Sequence, residues 1–260
     1  MNFADIDLSI IGPALVAGAL VLATHVPMGR EVLNRGIIFI DLAIAQVAGL
    51  GVIAADMLHF GHDNPWVVQV SAAAAALLGA LLLTWIENHF PEVQEALIGG
   101  LFILAASGGI LLLANNPEGG EHLKDLLVGQ ILWVNLKSLI PIAILYALIL
   151  AAWFGAGRRL GHIGFYVLFA LAVTASVQLV GVYLVFASLI MPALAVRRLP
   201  ERRGLAAAFV LGLVAYAAGL VLSTVFDLPS GALIVWCLAA CAVIMATMHR
   251  YLGGGREARA

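Results

Sequence analysis

The chain has 260 residues, 63% of them hydrophobic and only 11% charged, with a mean hydropathy of +1.06. Soluble domains carry roughly 25% charged residues, so this composition excludes an ordinary soluble domain and indicates an all-α, polytopic membrane protein. The formal net charge of −2 gives no electrostatic footprint for a nucleic-acid partner, and the two cysteines, Cys237 and Cys241, four apart in one apolar run, suit packing residues rather than a disulfide framework.

The N-terminal stretch "MNFADIDLSIIGPALVAG" has no basic region ahead of its apolar run, which argues against a cleaved signal peptide. Apolar runs separated by polar or Gly/Pro-rich breaks predict spans at 8–26, 37–58, 66–86, 97–114, 139–154, 165–180, 182–196, 205–224 and 231–249, about eight to nine crossings within one transmembrane domain, 1–260. A crossing needs about 20 residues, with a range near 17–25. The pair 165–180 and 182–196 is short, with Gly181 as its only obvious break. It reads either as two short passes or as a re-entrant pair bent at Gly181. Gln178 is placed at that bend, where its amide would satisfy freed backbone.

Arginine placement sets the orientation. Arg30 and Arg35, then Arg158 and Arg159, then Arg197, Arg198, Arg202 and Arg203, and finally Arg250, Arg256 and Arg259 follow alternate spans. The positive-inside rule puts all four groups in the cytoplasm. The loops "HFGHDNP" and "DLPSG", without Lys or Arg, then fall outside. One long helix over 165–196 would leave the last two arginine groups external, so the rule favours a break. The segment "HLKDLLVGQILWV" is amphipathic and predicts a surface helix at the outer interface, with Trp133 as an aromatic anchor. The runs Ala72–Ala76, Gly99–Gly100 and Gly108–Gly109 permit close helix packing.

The second span carries an anomaly. "RGIIFIDLAIAQVAGLGVIAADML" reads as a membrane helix, yet holds Asp41 and Gln46 inside its apolar run. A carboxylate in hydrocarbon costs roughly 2.5–3.5 kcal/mol even on mild insertion scales. Asp41 is either an interfacial carboxylate partnered by Arg35 or a cation ligand facing the bundle interior. Gln46, five residues on, is rotated about 140° from it at ~100° per residue, so the pair makes no single stripe but could border a cavity shared by several helices. His25 ends the predicted first span. A short connection would fold spans one and two into a hairpin and bring His25 to the depth of Asp41, and a His–Asp pair suits a divalent transition metal. At the outer mouth, Asp56, His59, His62 and Asp63 lie within eight positions. They read as a metal-capture cluster or as a solvated loop. The polar break with Glu87, His89, Glu92 and Glu95 reads as a solvated acidic loop or an exit region, while His122 and His162 stand alone. No HExxH, Walker A, GxSxG or CxxC motif is present, so no enzymatic role is expected and any ATP hydrolysis would be by a separate subunit.

Three stretches in order carry a family resemblance: "REVLNRGIIFIDLAIAQVAGLG", "VQLVGVYLVFASLIMPALAVRRL" and "LSTVFDLPSGALIV". The chain resembles the membrane permease subunit of ABC importers for zinc, manganese or iron. The resemblance implies a multi-pass permease of a bacterial inner membrane, a homodimer, served by separate ATP-binding cassette ATPase subunits and by a periplasmic or lipid-anchored metal-binding protein. It implies no bound cofactor, a transported Zn²⁺ or Mn²⁺, and an ion-site aspartate at Asp41. Two departures stand out. The histidine that the family usually places four residues after that aspartate is Ala45 here, with Gln46 beside it. The acidic coupling segment expected before "VGVYLVF" is replaced by the basic, Gly-rich "FGAGRRLGHIG". Either another loop, such as "FPEVQEALIGG", couples to the ATPase, or the chain is an ATPase-independent metal channel or carrier.

Overall fold

The computed structural model describes residues 8–57, 65–113, 119–156 and 161–257. Ten α-helices follow one another: α1 Leu8–Arg35, α2 Ile40–Met57, α3 Pro65–His89, α4 Gln94–Leu113, α5 Gly119–Val128, α6 Leu136–Ala156, α7 Gly161–Val180, α8 Val182–Ala195, α9 Glu201–Phe226 and α10 Ser230–Glu257. Short 3₁₀ turns at Pro91–Val93 and Ile131–Trp133 complete the described backbone, which contains no strand. Each predicted span is a helix. Seven are long and apolar enough to cross a membrane, and Ile40–Ala55 and Val182–Ala195 are shorter apolar helices.

The ends of the described helices sort into two groups, and two of the predicted arginine groups meet at one of them. At one end Arg30 of α1 donates from Nη2 to the Leu199 carbonyl (3.3 Å), Arg35 approaches Glu87 of α3 (3.6 Å) and His162 of α7 pairs with Glu87 (2.8 Å). The exposed Arg197, Arg198, Arg202 and Arg203 lie in and beside the same α8–α9 connection. At the other end the α7–α8 break meets the end of α5 and the start of α10. The first group is the cytoplasmic face by the positive-inside rule.

The break at Gly181 is built from backbone. Gly181 has φ +80° and Gly129, at the end of α5, has φ +71°. A methyl group on Gly181 would stand 2.4 Å from Gly129 N, and one on Gly231 would stand 2.5 Å from the Val128 carbonyl oxygen. Three chain segments therefore meet without side chains between them, and both left-handed positions need glycine. The same glycine ends α5 early: "HLKDLLVGQILWV" is not one helix but a helix to Val128 and a 3₁₀ turn whose Ile131 is buried while Trp133 is 84% exposed. Gln178 is exposed rather than serving the bend. The chain turns there on glycine and needs no side-chain amide.

Helix α8 has 14 residues, about 21 Å at ~1.5 Å per residue, short of a ~30 Å hydrocarbon core. Its interior location makes that length tolerable: ten of its residues are buried, among α1, α9 and α10. Helices α1 and α9 run antiparallel in one register. A side chain on Gly204 would strike Arg30, one on Gly212 would come 2.5 Å from Leu22, and one on Gly18 would overlap the Tyr216 ring. Small residues also let α2 approach α3, where a methyl on Gly51 would stand 2.5 Å from Ala75 Cβ, and Ala72 and Ala76 are fully buried. Gly108 and Gly109 face Leu50 and Ile53 of α2, whereas Gly99 and Gly100 have no neighbour within 4 Å.

The backbone junction makes a sharp prediction. Gly181→Ala should destabilise the purified protein by at least ~1–2 kcal/mol through the left-handed backbone alone, with the clash against Gly129 added. Gly99→Ala, in open space, should leave the thermal unfolding midpoint in detergent unchanged or slightly raised. Equal midpoints for Gly181→Ala and wild type would remove the junction as a structural constraint.

Candidate metal site

Helix α2 starts at Ile40, and Asp41 lies in its first turn with no side-chain exposure at all. Neither carboxylate oxygen accepts a hydrogen bond from any described residue. The partially positive N-terminal end of the helix lies along the backbone beside it, a compensation of ~0.3–1 kcal/mol against a desolvation cost of several kcal/mol for a buried ion. The arginine that could have neutralised it is occupied elsewhere. Arg35 Nε donates to Glu31 Oε1 at 2.8 Å, its Nη1 lies 3.6 Å from Glu87 Oε1, and its guanidinium stacks 4.2 Å above the Phe165 ring. Among the described residues the Arg35–Asp41 pair therefore does not form, and Asp41 is a buried, unpaired carboxylate.

His25 is also fully buried, but it is not the neighbour of Asp41 that a hairpin would make it. Helix α1 does not end at residue 26; it runs to Arg35, leaving His25 ten residues, about 15 Å, from the helix end. Asp41, in contrast, opens α2 on the cytoplasmic side. The helices also differ in their main neighbours: α1 packs chiefly on α8 and α9, α2 on α3 and α4, although both touch α7 and α8. The expectation of equal depth fails because the arginine-bearing segment, read as a loop, is helix.

Gln46 is half-buried and lines a slot of about 10 Å³ between α2, α4, α5 and α8, together with Leu50, Ile53, Ala105, Leu126 and Leu127. That is room for about one water. Leu126 and Leu127 of α5 are part of its wall. Asp56 lies in the last turn of α2, with its side chain outside the described set; His59, His62 and Asp63 lie outside the described residues, and so do Arg158 and Arg159. No group of three or more His, Cys, Asp or Glu side chains that could hold a metal occurs among the described residues.

The acidic stretch 87–95 is more than a solvated loop. Glu87 binds Arg35 and His162, Glu95 accepts the Phe39 backbone N–H at 3.2 Å, and Gln94 donates to Tyr166 Oη at 2.8 Å. It ties α3 and α4 to the start of α2 and to α7. His162, expected to stand alone, is part of this clamp. Beside it, a cytoplasmic cavity of about 660 Å³ is lined by Arg30, Glu31, Arg35, His162, Phe165 and Glu201, among others. Sequence reasoning had no signal for this cavity, since its residues come from four helices.

The family model described as the ABC 3 transport family matches residues 7–163 and 155–249. The chain belongs to the ABC 3 transport family. It is 28% identical over 250 residues to the manganese transport system membrane protein MntC of Halalkalibacterium halodurans, covering 87% of this chain and 83% of that protein. It is 24% identical over 252 residues to the high-affinity zinc uptake system membrane protein ZnuB of Haemophilus influenzae, covering 88% and 94%. Its fold matches a chain of the structure of PsaBC from Streptococcus pneumoniae in complex with Fab, with a TM-score of 0.76, 23% identity and 94% of each chain covered. The aspartate-bearing second helix and the glycine break between α7 and α8 thus occur in a chain of the ABC 3 transport family.

A buried carboxylate with no partner is a cost to folding. Asp41→Leu, which removes the charge and fills the space with apolar atoms, should raise the thermal midpoint of the purified protein. A lower midpoint would mean that the carboxylate is bonded within the apoprotein.

Proposed function

We propose that this chain is the permease subunit of an ABC importer that carries a divalent transition metal inward across a bacterial inner membrane. One observation carries the reading: Asp41, buried on a membrane helix of an ABC 3 family chain, has no described partner. Intramembrane ionisable groups left unpaired inside a bundle mark ion pathways. A dication supplies the missing charge, and the carboxylate helps to replace part of its hydration shell.

Metal relatives support the substrate class. MntC and ZnuB carry manganese and zinc in their names. Asp41 offers oxygen, and Gln46, nearer the outer side on the same helix, offers an uncharged amide. Oxygen ligands suit Mn²⁺, while Zn²⁺ also accepts carboxylate; the reading covers Zn²⁺, Mn²⁺ and Fe²⁺. His25 and the outer Asp56, His59, His62 and Asp63 are assigned to other stages of the same route, the latter four to capture at the external mouth. The chain works as a homodimer with two ATP-binding cassette subunits and takes its ion from a periplasmic or lipid-anchored binding protein. Membership of an ABC family disfavours an ATPase-independent carrier. With no acidic segment between α6 and α7, the cytoplasmic clamp around Glu87 and the adjoining cavity provide the contact with the ATPase.

Proteoliposomes holding the chain with its ATPase should accumulate radiolabelled Zn²⁺ or Mn²⁺ only when ATP and the binding protein are supplied. Asp41→Ala should lower the rate by about tenfold or more, the scale of lost metal-site interactions, with ATPase assembly intact. Flux in the absence of the ATPase would overturn the ABC reading, and unchanged flux in Asp41→Ala would remove Asp41 from the pathway.

A further inference from the structure

His25 carries a lone pair that nothing in the described structure uses. Its Nδ1 lies 3.0 Å from the Val21 carbonyl oxygen and 3.0 Å from Thr24 Oγ1, and Thr24 Oγ1 donates to the same carbonyl at 3.0 Å. Two tautomers are conceivable. If Nδ1 accepted a proton from Thr24, the carbonyl would lose its side-chain donors and Nε2–H would be an orphaned donor in a fully buried place. If Nδ1–H donates to Val21, both hydrogens are used and Nε2 is left bare. The hydrogen-bond network assigns the second tautomer. That is the arrangement in which imidazoles bind metal: one nitrogen held by a backbone carbonyl, the other free.

His25 lies on the face of α1 that packs against α8 and α9. On α1, Gly18, His25 and Gly29 share one face, since their spacings of seven and four residues are near whole helical turns. Gly18 packs under the Tyr216 ring of α9, and Gly29 packs against the Leu189 carbonyl of α8. His25 is bracketed between these contacts. Tyr216 and Ser188, the residue before Leu189, join across the bracket at 2.9 Å. Ser188 donates its hydrogen to the Leu184 carbonyl (2.6 Å), so the phenol must be the donor in the Tyr216–Ser188 bond, and the lone pairs of Tyr216 Oη stay free. Pro192 has no N–H for the Ser188 carbonyl four residues earlier, which leaves that oxygen without its helical donor. Nearby, Ser176 donates to the Ala172 carbonyl, so Tyr146 likewise spends its hydrogen, at 2.5 Å on Ser176.

We propose that the α1–α8–α9 seam is a second cation station, with His25 Nε2 as its nitrogen ligand and Tyr216 Oη and the Ser188 carbonyl as oxygen ligands. It would take a divalent transition metal, for which an imidazole nitrogen with neutral oxygens is a suitable donor set. It stands about 15 Å along α1 from the arginine-bearing end, toward the outer face from Asp41, so that an inbound ion meets nitrogen before carboxylate. The proposal rests on the import reading for its direction, but the site itself is tested without transport.

The probe is Zn²⁺ bound to the full chain in lipid nanodiscs, followed by X-ray absorption at the zinc edge. Asp41→Asn empties the inner position, and replacing His59, His62, His89, His122, His162 and His249 with Gln leaves His25 as the sole imidazole. Bound zinc in this variant should show imidazole scattering, and the signal should vanish on His25→Ala with the thermal midpoint preserved. Tyr216→Phe, which keeps the nitrogen, should retain the imidazole signal and weaken zinc affinity by about tenfold. Absence of imidazole scattering in the variant where His25 stands alone, or its persistence after His25→Ala, overturns the station. Affinity unchanged in Tyr216→Phe overturns its oxygen half. Failure here alongside a severe Asp41→Ala uptake defect would sink the second station alone, whereas normal uptake by Asp41→Ala would strike at the import reading.

Discussion

Hydrocarbon offers no solvent to a polar atom, so every polar group between the membrane faces has to be satisfied by the protein itself. Most of this molecule obeys. Thr24 and Thr84 return their hydroxyls to carbonyls of their own helices, Ser176 and Ser188 do the same, and Tyr146 and Tyr216 donate to those serines. Against that background Asp41 and His25 differ in kind. Each sits at full burial with a lone pair directed at no donor. Thr174 Oγ1 of α7 is also buried without a partner, but a hydroxyl costs less to bury than an ionisable group; the import reading proposed above takes Asp41 and His25 as ligands for a passing cation.

The scaffold holds these groups by backbone contacts more than by side chains. Gly181 and Gly129 touch main chain to main chain, and Gly231 touches the Val128 carbonyl. This fixes the outer end of α8 beneath α5, where Leu126 and Leu127 close the slot that holds Gln46. The inner end is fixed differently, by charge: Arg35 is shared between Glu31 and Glu87, and Glu87 in turn holds His162. This part-buried ion-pair clamp borders the open cytoplasmic cavity, where a partner can reach it. A backbone seam cannot be rearranged without moving whole helices. The two ends are therefore suited to different tasks, a stiff outer closure and an adjustable cytoplasmic face.

Much of the fold was legible because a membrane reduces it to one dimension. Apolar runs, alternating arginine groups and a lone Gly181 were enough to place nine apolar helices, seven of them long enough to cross a membrane, and the α7–α8 break. Helix ends were less legible. The stretch "PMGREVLNR" looks like a loop by polarity, yet it continues α1 because Arg30 and Arg35 find partners on α3 and in the α8–α9 connection. That misjudged end is what displaced His25 from Asp41. Asp41 itself was visible from its cost in an apolar run, and its lack of a partner was not, since only three-dimensional packing shows that Arg35 is committed to glutamates. Tyr216 and Ser188 gave no signal at all: a tyrosine and a serine in separate apolar runs become a pair only once α8 and α9 lie side by side.

The sparseness of the ligands is consistent with movement rather than storage. A structural zinc site encloses its ion with four protein ligands, and nothing of that kind appears among the described residues. A conducting path needs sites strong enough to strip part of the hydration shell and weak enough to release the ion to the next. A single carboxylate near the inner face and a single imidazole deeper along α1 meet that condition better than a closed cage would. The order also has electrostatic sense. On the proposed route a neutral nitrogen site would take the ion first, and the charged oxygen site, nearer the cytoplasm, would draw it onward. On the same proposal exit would depend on the helices around Asp41 moving apart, and those helices end in the clamp of Arg35, Glu87 and His162.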